Sequence, residues 1–383
     1  MKAKLSIYAI CFNMLIHLVL SVSMAGAIAA FPGSDPTIVQ YLLTVPSLAC
    51  IAGTFLVPLL GSRISLKALS IGAQACSLIG AAIFVIYPYS LPLLYAASIV
   101  IGIAYGILAT TFPVLVTVHV PAEQQASVTG IASGMVQFGR LASLTIAGFL
   151  GDIQWNFVYL TYFLVLAAMC ILIPCLPPDH PAAKTGGKVS GYKAFFRSAG
   201  FWELVIADFL FGILNFMASS HVSLYIEGYG LGTASTTGVI SAVSCGVAGI
   251  VACLFAPIYR RTGKKTLMAI FLAVGLGYVL TGSVISLPTA LAGILLSNAA
   301  AAVFTPYILV RAGEVAAPPL VPFAVSVAVS SLSVGYFLSP AISNWAAAAL
   351  GSGSPAAVYA IGGIASLIFA AASLLLSRRN TGR

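Results

Sequence analysis

The chain has 383 residues, of which 60% are hydrophobic and only 7% are charged. A soluble domain carries roughly 25% charged residues on average, so this composition excludes an ordinary soluble protein. The mean hydropathy of +1.08 indicates that lipid is the main solvent. The net charge of +9 does not indicate a nucleic-acid-binding protein, because the cations are not clustered on one extramembrane domain.

The apolar runs are long and unbroken, which predicts an all-α integral membrane protein. A helix needs about 20 apolar residues to cross the hydrocarbon core, and its backbone groups must be paired internally. The twelve predicted spans are 5–30, 37–60, 66–87, 91–117, 124–150, 154–176, 200–226, 233–258, 266–286, 289–311, 319–347 and 354–377.

The first apolar stretch has features of a secretory signal, with Lys2 and Lys4 before it. It is too long for a signal core and is interrupted by Asn13 and His17, so we predict that it is retained as the first span.

A polar linker divides the spans into two groups of six. It begins after Leu176 with "PPDHPAAKTGGKVSGYKAFFR" and contrasts with the other, shorter connections. The predicted organisation is an N-terminal six-helix bundle over residues 1–176, a cytoplasmic linker over 177–197 and a C-terminal six-helix bundle over 198–383.

The cations fall on alternate loops, which predicts the topology. Positive residues stay on the cytoplasmic side, so both termini and the linker are expected in the cytoplasm of a bacterial inner (cytoplasmic) membrane. Arg140 alone departs from the pattern. The others are Lys2, Lys4, Arg63, Lys67, Lys184, Lys188, Lys193, Arg197, Arg260, Arg261, Lys264, Lys265, Arg311, Arg378, Arg379 and Arg383.

Two of the basic loops occupy corresponding places in the two halves: "PLLGSRISLK" (58–67) and "APIYRRTGKK" (256–265). This indicates a parallel internal repeat. The loops resemble the G-x-x-x-D-R-x-G-R-R signature of the major facilitator superfamily, although Ala256 replaces the first Gly and Arg260 the Asp. The resemblance implies a gating loop. Its matching residues are Arg63, Lys67, Arg261, Gly263, Lys264 and Lys265.

The passage from span 4 to span 5, residues 102–130, resembles twelve-span drug/proton antiporters of this superfamily. Those exporters carry an Arg where this chain has Ser98, and their G-x-x-x-G-P-x-x-G-G signature corresponds here to Gly139, Ser143, Leu144, Ala147 and Gly148. Small residues are kept at four of these five places, so close helix packing is expected. The Gly-Pro pair is not kept.

Ionisable side chains at bilayer depth cost about 2.5–3.5 kcal/mol each on insertion scales and are candidate functional groups. Arg140 lies within span 5, and Ser133 and Gln137 share its helix face. We predict that these three bind substrate, with Arg140 pairing an anionic group or an internal carboxylate. Alternatively, Arg140 snorkels to the outer interface or bridges helices.

Asp208 lies about two turns into span 7, and Asn215 follows on its face. A buried carboxylate can exchange a proton near neutral pH, so Asp208 is the candidate proton-coupling residue and Asn215 a substrate ligand. A fixed bridge from Asp208 to Arg140 or to a neighbouring helix is the alternative.

Spans 1, 4, 7 and 10 line the central cavity in the superfamily, so the resemblance implies further substrate ligands. Span 1 offers Asn13 and His17, and span 10 offers Asn298 and Tyr307. A neutral His17 bonded to a neighbouring helix remains an alternative to a ligand-binding role. His221 and Glu227 are predicted to form an outer gate or the rim of the protein.

The primary functional hypothesis is a secondary active transporter that moves a small organic molecule by alternating access, as a proton-coupled efflux antiporter. The alternatives are uptake or exchange of an organic anion through Arg140, and a non-transporting receptor on the same fold. No enzyme, cofactor or metal site is predicted, since the seven cysteines lack metal-ligand spacing. The expected partners are the substrate, a proton or counter-anion, and membrane lipid. We expect a monomer.

Overall fold

The computed structural model describes residues 2–60, 63–177, 196–316, 320–349 and 353–379. All regular elements in these ranges are helical. The first seven α-helices are α1 (Lys2–Phe12), α2 (Met24–Ala29), α3 (Pro36–Leu60), α4 (Leu66–Ile86), α5 (Leu91–His119), α6 (Ala122–Gly151) and α7 (Phe163–Cys175). The others are α8 (Ala199–Gly228), α9 (Ala234–Cys253), α10 (Phe255–Thr262), α11 (Thr266–Ser283), α12 (Leu287–Val315), α13 (Val321–Ala349) and α14 (Pro355–Arg379).

The described residues contain eleven helical stretches that are long and apolar enough to cross a membrane. The predicted span 124–150 is α6, which has 30 residues and is less apolar because it carries Gln137, Arg140 and many small polar residues. The predicted all-α membrane fold is therefore confirmed, with α6 as the twelfth long helix. Residues 178–195, most of the predicted linker, lie outside the described residues.

The first predicted span is not one continuous α-helix. The α1 helix ends at Phe12, and a 3₁₀ helix over Ile16–Ser23 precedes α2. Backbone bonds of the tighter i→i−3 type replace the α pattern, for example from the Asn13 amide to the Ile10 carbonyl at 3.2 Å. The Asn13 side chain also bonds outside its own segment, donating from Nδ2 to the Leu164 carbonyl on α7 at 3.1 Å. A 3₁₀ stretch within a long helix is often a hinge.

The chain forms two compact units, Met1–Gly186 with Gly232–Ala242, and Gly187–Leu231 with Val243–Arg383. In the first unit α5 packs on both α3 and α4, and α1 packs on α6 and α7. A Cβ added to Gly106 of α5 would lie 2.0 Å from the Cys50 carbonyl oxygen of α3. Glycine therefore permits this close helix contact. In the second unit α8 packs on α13, and α11 on both α12 and α14.

Candidate functional site

The α6 helix carries a polar face formed by Ser133, Gln137 and Arg140. Ser133 is exposed in the structure, whereas Gln137 and Arg140 are half-buried. The Ser133 hydroxyl donates to the Thr129 carbonyl at 3.0 Å, which leaves its oxygen lone pairs free to accept. The three predicted side chains therefore share one face of α6, as helical spacing requires.

Arg140 sits where α6 approaches the end of α1 most closely. Its neighbour Gly139 lies against Phe12, and a Cβ at Gly139 would be 1.7 Å from the Phe12 carbonyl oxygen. The Nε atom of Arg140 is buried and has no hydrogen-bond partner among the described residues. Within the described residues there are two ion pairs, and both are made by Arg311. Arg140 is therefore a cation that forms no ion pair with any carboxylate of the described residues.

His17 and Asn13 face a small cavity inside the first unit. Both side chains are buried, and the positive charge of Arg140 acts on the His17 imidazole. The cavity is bordered by residues 13–17 of span 1, by α4 and α5, and by the junction of α7 with a preceding 3₁₀ helix over Trp155–Tyr162. Its lining residues are Asn13, Met14, Ile16, His17, Gln74, Ser77, Ile101, Tyr105, Leu108, Tyr162 and Val165.

Two polar residues of this cavity, Gln74 and Tyr162, are absent from the sequence-predicted site. Gln74 is 0% exposed and lies in an otherwise apolar span. An isolated amide at bilayer depth is a usable sequence signal, because burying it without a partner is costly. Tyr162 gives no such signal, since tyrosine is largely apolar and is common within membrane spans and at their ends.

Asp208 lies in the second unit, on α8. Its side chain is 2% exposed, and its Oδ2 atom has no hydrogen-bond partner among the described residues. A fixed bridge to a cation of its own unit is not observed there, because the described ion pairs join Arg311 to Glu203 and Glu314. Asp208 is therefore a buried carboxyl group with spare hydrogen-bonding capacity.

The other predicted ligands of the second unit make local contacts. Asn215 donates from Nδ2 to the Tyr336 hydroxyl on α13 at 3.3 Å, and Asn298 donates to the Ile294 carbonyl of its own helix at 3.1 Å. Tyr307 is buried and borders a cavity with Glu203 and Arg311. Among the described residues, no hydrogen bond or ion pair joins Asn298 or Tyr307 to Asp208.

The two basic loops make different contacts, each within its own unit. Lys67 donates from Nζ to the Leu176 carbonyl at 2.6 Å and so caps the end of α7, while Arg63 is exposed. A lysine at a helix C-terminus is favourable because the last carbonyls there lack intrahelical donors.

In the second basic loop, Gly263 has φ of +49° and ends α10, where its amide donates to the Tyr259 carbonyl. An L side chain would be strained in that conformation. Arg261 and Lys265 are exposed. Lys264 follows in a 3₁₀ turn over Gly263–Lys265, and its side chain lies outside the described residues.

A cluster near this loop joins three elements of the second unit. Arg311 of α12 contacts Glu203 of α8 at 3.4 Å and Glu314 at 2.5 Å. The Tyr259 hydroxyl of α10 donates to Glu314 at 3.1 Å. The family signature has an acid where this chain has Arg260, and here the adjacent Tyr259 ties the loop to α12 through Glu314.

His221 and Glu227 have partners on and near α8. The His221 Nε2 atom is 2.9 Å from the Asn344 Oδ1 atom of α13, and Nδ1 is 3.0 Å from the Met217 carbonyl. Ser223 donates to Glu227 at 2.5 Å. The contact with Asn344 links α8 to α13, whereas the other two lie within α8.

Solved structures of transporters share this fold. Nucleoside transporter NupG superposes with a TM-score of 0.82 at 13% identity, covering 97% of this chain and 99% of that one. A POT family transporter in complex with 5-aminolevulinic acid gives 0.74 at 14% identity, covering 97% and 96%. A D-xylose–proton symporter gives 0.71 at 16% identity, covering 96% of each.

Sequence comparison agrees with the fold. No curated protein matches the chain in sequence, but the family model of the Major Facilitator Superfamily matches residues 7–295. That match covers more than half of the chain and includes both basic loops, residues 58–67 and 256–265. This multi-pass membrane protein is therefore a transporter, not an enzyme, and it belongs to the Major Facilitator Superfamily.

Proposed function

We propose that the chain is a secondary active transporter for a small organic anion. The observation that carries this proposal is Arg140, a half-buried cation of α6 whose Nε atom has no described partner. A charge at bilayer depth costs about 2.5–3.5 kcal/mol on insertion scales. A counter-charge on the transported molecule offsets that cost each time the substrate binds.

The neighbouring polar groups suit a carboxylate or a similar oxyanion. A guanidinium offers several N–H donors in a planar fork that matches a carboxylate. Gln137 and Ser133 lie one and two turns away on the same face and add an amide and a hydroxyl. The proposed ligand set of the first unit is therefore Arg140, Gln137 and Ser133, with His17 and Asn13 close to them.

The test is a thermal-shift screen on purified protein, comparing small mono- and dicarboxylates with lipophilic cations. Wild type should gain stability with at least one carboxylate, because a ligand that binds only the folded state raises its Tm. Arg140→Gln should lose that shift, and its unliganded Tm should be no lower than that of wild type because the uncompensated charge is removed. Arg197→Gln, which removes an exposed cation outside the spans, is the control and should keep it. Equal shifts in wild type and Arg140→Gln would discard the anion site.

A second candidate is proton-coupled export, and Asp208 favours it. A buried carboxyl group with an unpartnered oxygen is more easily kept neutral than charged. It can therefore take up a proton from one side of the membrane and release it to the other. The export direction is supported by the resemblance of residues 102–130 to drug/proton antiporters.

Proteoliposomes with an imposed pH gradient test this second candidate. The wild-type flux should depend on the gradient, and Asp208→Asn should remove the dependence because an amide does not titrate. Asp35→Asn is the control, since Asp35 is an exposed acid outside the spans that accepts from the Thr37 amide at 2.7 Å. Identical wild-type flux with and without the gradient would exclude proton coupling.

Alternating access is the mechanism proposed for either candidate. The predicted bundles 1–176 and 198–383 would rock about a midplane site, as in other transporters built from repeats. We place the protein in the cytoplasmic membrane with both termini in the cytoplasm. The alternating positive charge of the loops supports that orientation.

A further inference from the structure

The cavity of the first unit is lined by two buried polar side chains, Gln74 and Tyr162, that the proposed transport site does not use. It offers about 20 Å³ to the centres of water molecules, and one water needs roughly 10–15 Å³. The space therefore suits one or two waters and is too small for an organic substrate. None of the residues that line it belongs to α6, the helix that carries Arg140, Gln137 and Ser133.

Five buried polar atoms on this cavity have no hydrogen-bond partner among the described residues. They are Asn13 Oδ1, His17 Nδ1, Gln74 Oε1, Gln74 Nε2 and Tyr162 Oη. All four side chains are at most 5% exposed. A buried polar group without a hydrogen bond costs about 1–3 kcal/mol judged from mutations. Five in one place are therefore unfavourable unless something in the cavity pairs them.

The chemistry of these atoms identifies the occupant. Asn13 and Gln74 supply amide oxygens that accept hydrogen bonds, while the Gln74 amide group donates. A metal cation would meet that donor and the positive charge of Arg140, which acts on His17. An anion would meet the two amide oxygens. A small neutral molecule that both donates and accepts satisfies all of them.

We propose that Gln74, Tyr162, Asn13 and His17 bind one or two water molecules inside the first unit. A buried water typically makes about three hydrogen bonds to groups that otherwise have none. Two waters would thus pair all five atoms. The site lies against the point where span 1 changes from α1 to the 3₁₀ helix, so bound water also supports the non-α backbone there.

Radiolytic hydroxyl labelling tests the proposal on the unmodified full-length protein. X-rays split bound water in place, so a tyrosine beside it is hydroxylated even when it is buried. Tyr162 should be labelled several-fold faster than Tyr278 and Tyr359, which are equally buried but donate directly to the carbonyls of Leu214 and Ala218. Labelling of Tyr162 no faster than these two would overturn the proposal.

Substitution of the same tyrosines by Phe gives a second test, because the Tm should change in opposite directions for a water-filled cavity and for a dry one. If water pairs the hydroxyl, Tyr162→Phe loses a hydrogen bond and should lower the Tm, as is expected for Tyr278→Phe, which loses the bond to the Leu214 carbonyl. If the cavity is dry, Tyr162→Phe removes an unsatisfied buried group and should raise the Tm. A raised Tm contradicts bound water. Neither readout depends on transport, so the proposal stands or fails separately from the proposed function.

Discussion

The contact between α1 and α6 positions Arg140 and gives the sharpest stability prediction. In Gly139→Ala the new Cβ would lie 1.7 Å from the Phe12 carbonyl oxygen and 2.6 Å from its carbonyl carbon. A backbone oxygen cannot rotate away as a side chain can. The helices must therefore separate by more than 1 Å, because carbon–oxygen contacts in close-packed interiors rarely fall below about 3 Å.

Overpacking of this kind typically costs about 1–3 kcal/mol, and the rigid partner places Gly139→Ala at the upper end, about 3 kcal/mol. The helix propensity of Ala recovers up to about 1 kcal/mol, which leaves a net loss of about 2 kcal/mol. The assay is thermal or denaturant unfolding of purified protein in detergent. Anion binding should weaken as well, since Arg140 moves with the displaced helix.

Gly134→Ala is the matched control on the same helix. A Cβ at Gly134 meets nothing within 4 Å, so only the gain in helix propensity remains. This variant should be as stable as wild type or more stable by up to about 1 kcal/mol. Equal stability of Gly139→Ala and Gly134→Ala would show that α1 and α6 do not meet at Phe12, and the reasoning on Arg140 would fail with it.

Three further predictions concern groups near the ends of the spans. Burial raises the pKa of Asp152, but hydrogen bonds from Ser235 and Thr233 outweigh it and lower the pKa below the usual 3.8. Asp152 therefore stabilises the fold above about pH 4, and this stabilisation is lost as the pH falls through the lowered pKa. Asp152→Asn should make the Tm fall less steeply at acid pH than in wild type. An unchanged curve of Tm against pH would show that these hydrogen bonds do not stabilise the ionised Asp152. Arg311→Gln leaves Glu203 and Glu314 without their cation and should cost about 1 kcal/mol or less, because the pairs are partly exposed; a loss above 3 kcal/mol in chemical unfolding would contradict this. Tyr259→Phe should leave the Tm nearly unchanged but speed amide hydrogen exchange in α10, and unchanged exchange would show that the Glu314 contact does not hold the loop.

The number and order of the long helices could be predicted from the sequence because apolar length is a direct physical requirement of the bilayer. The break after Phe12 could not be predicted in this way. The spacing of Asn13 and His17 fits an uninterrupted helix face, and the sequence does not show that Asn13 bonds to Leu164, 151 residues away.

The candidate site was predictable where it depends on charge within a span. Arg140 and Asp208 stand out because so few charges occur in the apolar segments. Gln74 was missed because it lies on the third span, which the resemblance does not assign to the central cavity; the structure shows that it is completely buried. The tie between Tyr259 and Glu314 was also beyond the sequence, because it depends on how α10 folds back near α12.

Transport of an anion through Arg140 is the central claim, and counterflow in proteoliposomes tests it most directly. Vesicles loaded with the carboxylate that gives the largest thermal shift should accumulate the radiolabelled compound from outside. Arg140→Gln should abolish accumulation, whereas Arg197→Gln, which removes an exposed cation outside the spans, should retain it. Equal accumulation by wild type and Arg140→Gln would contradict the account.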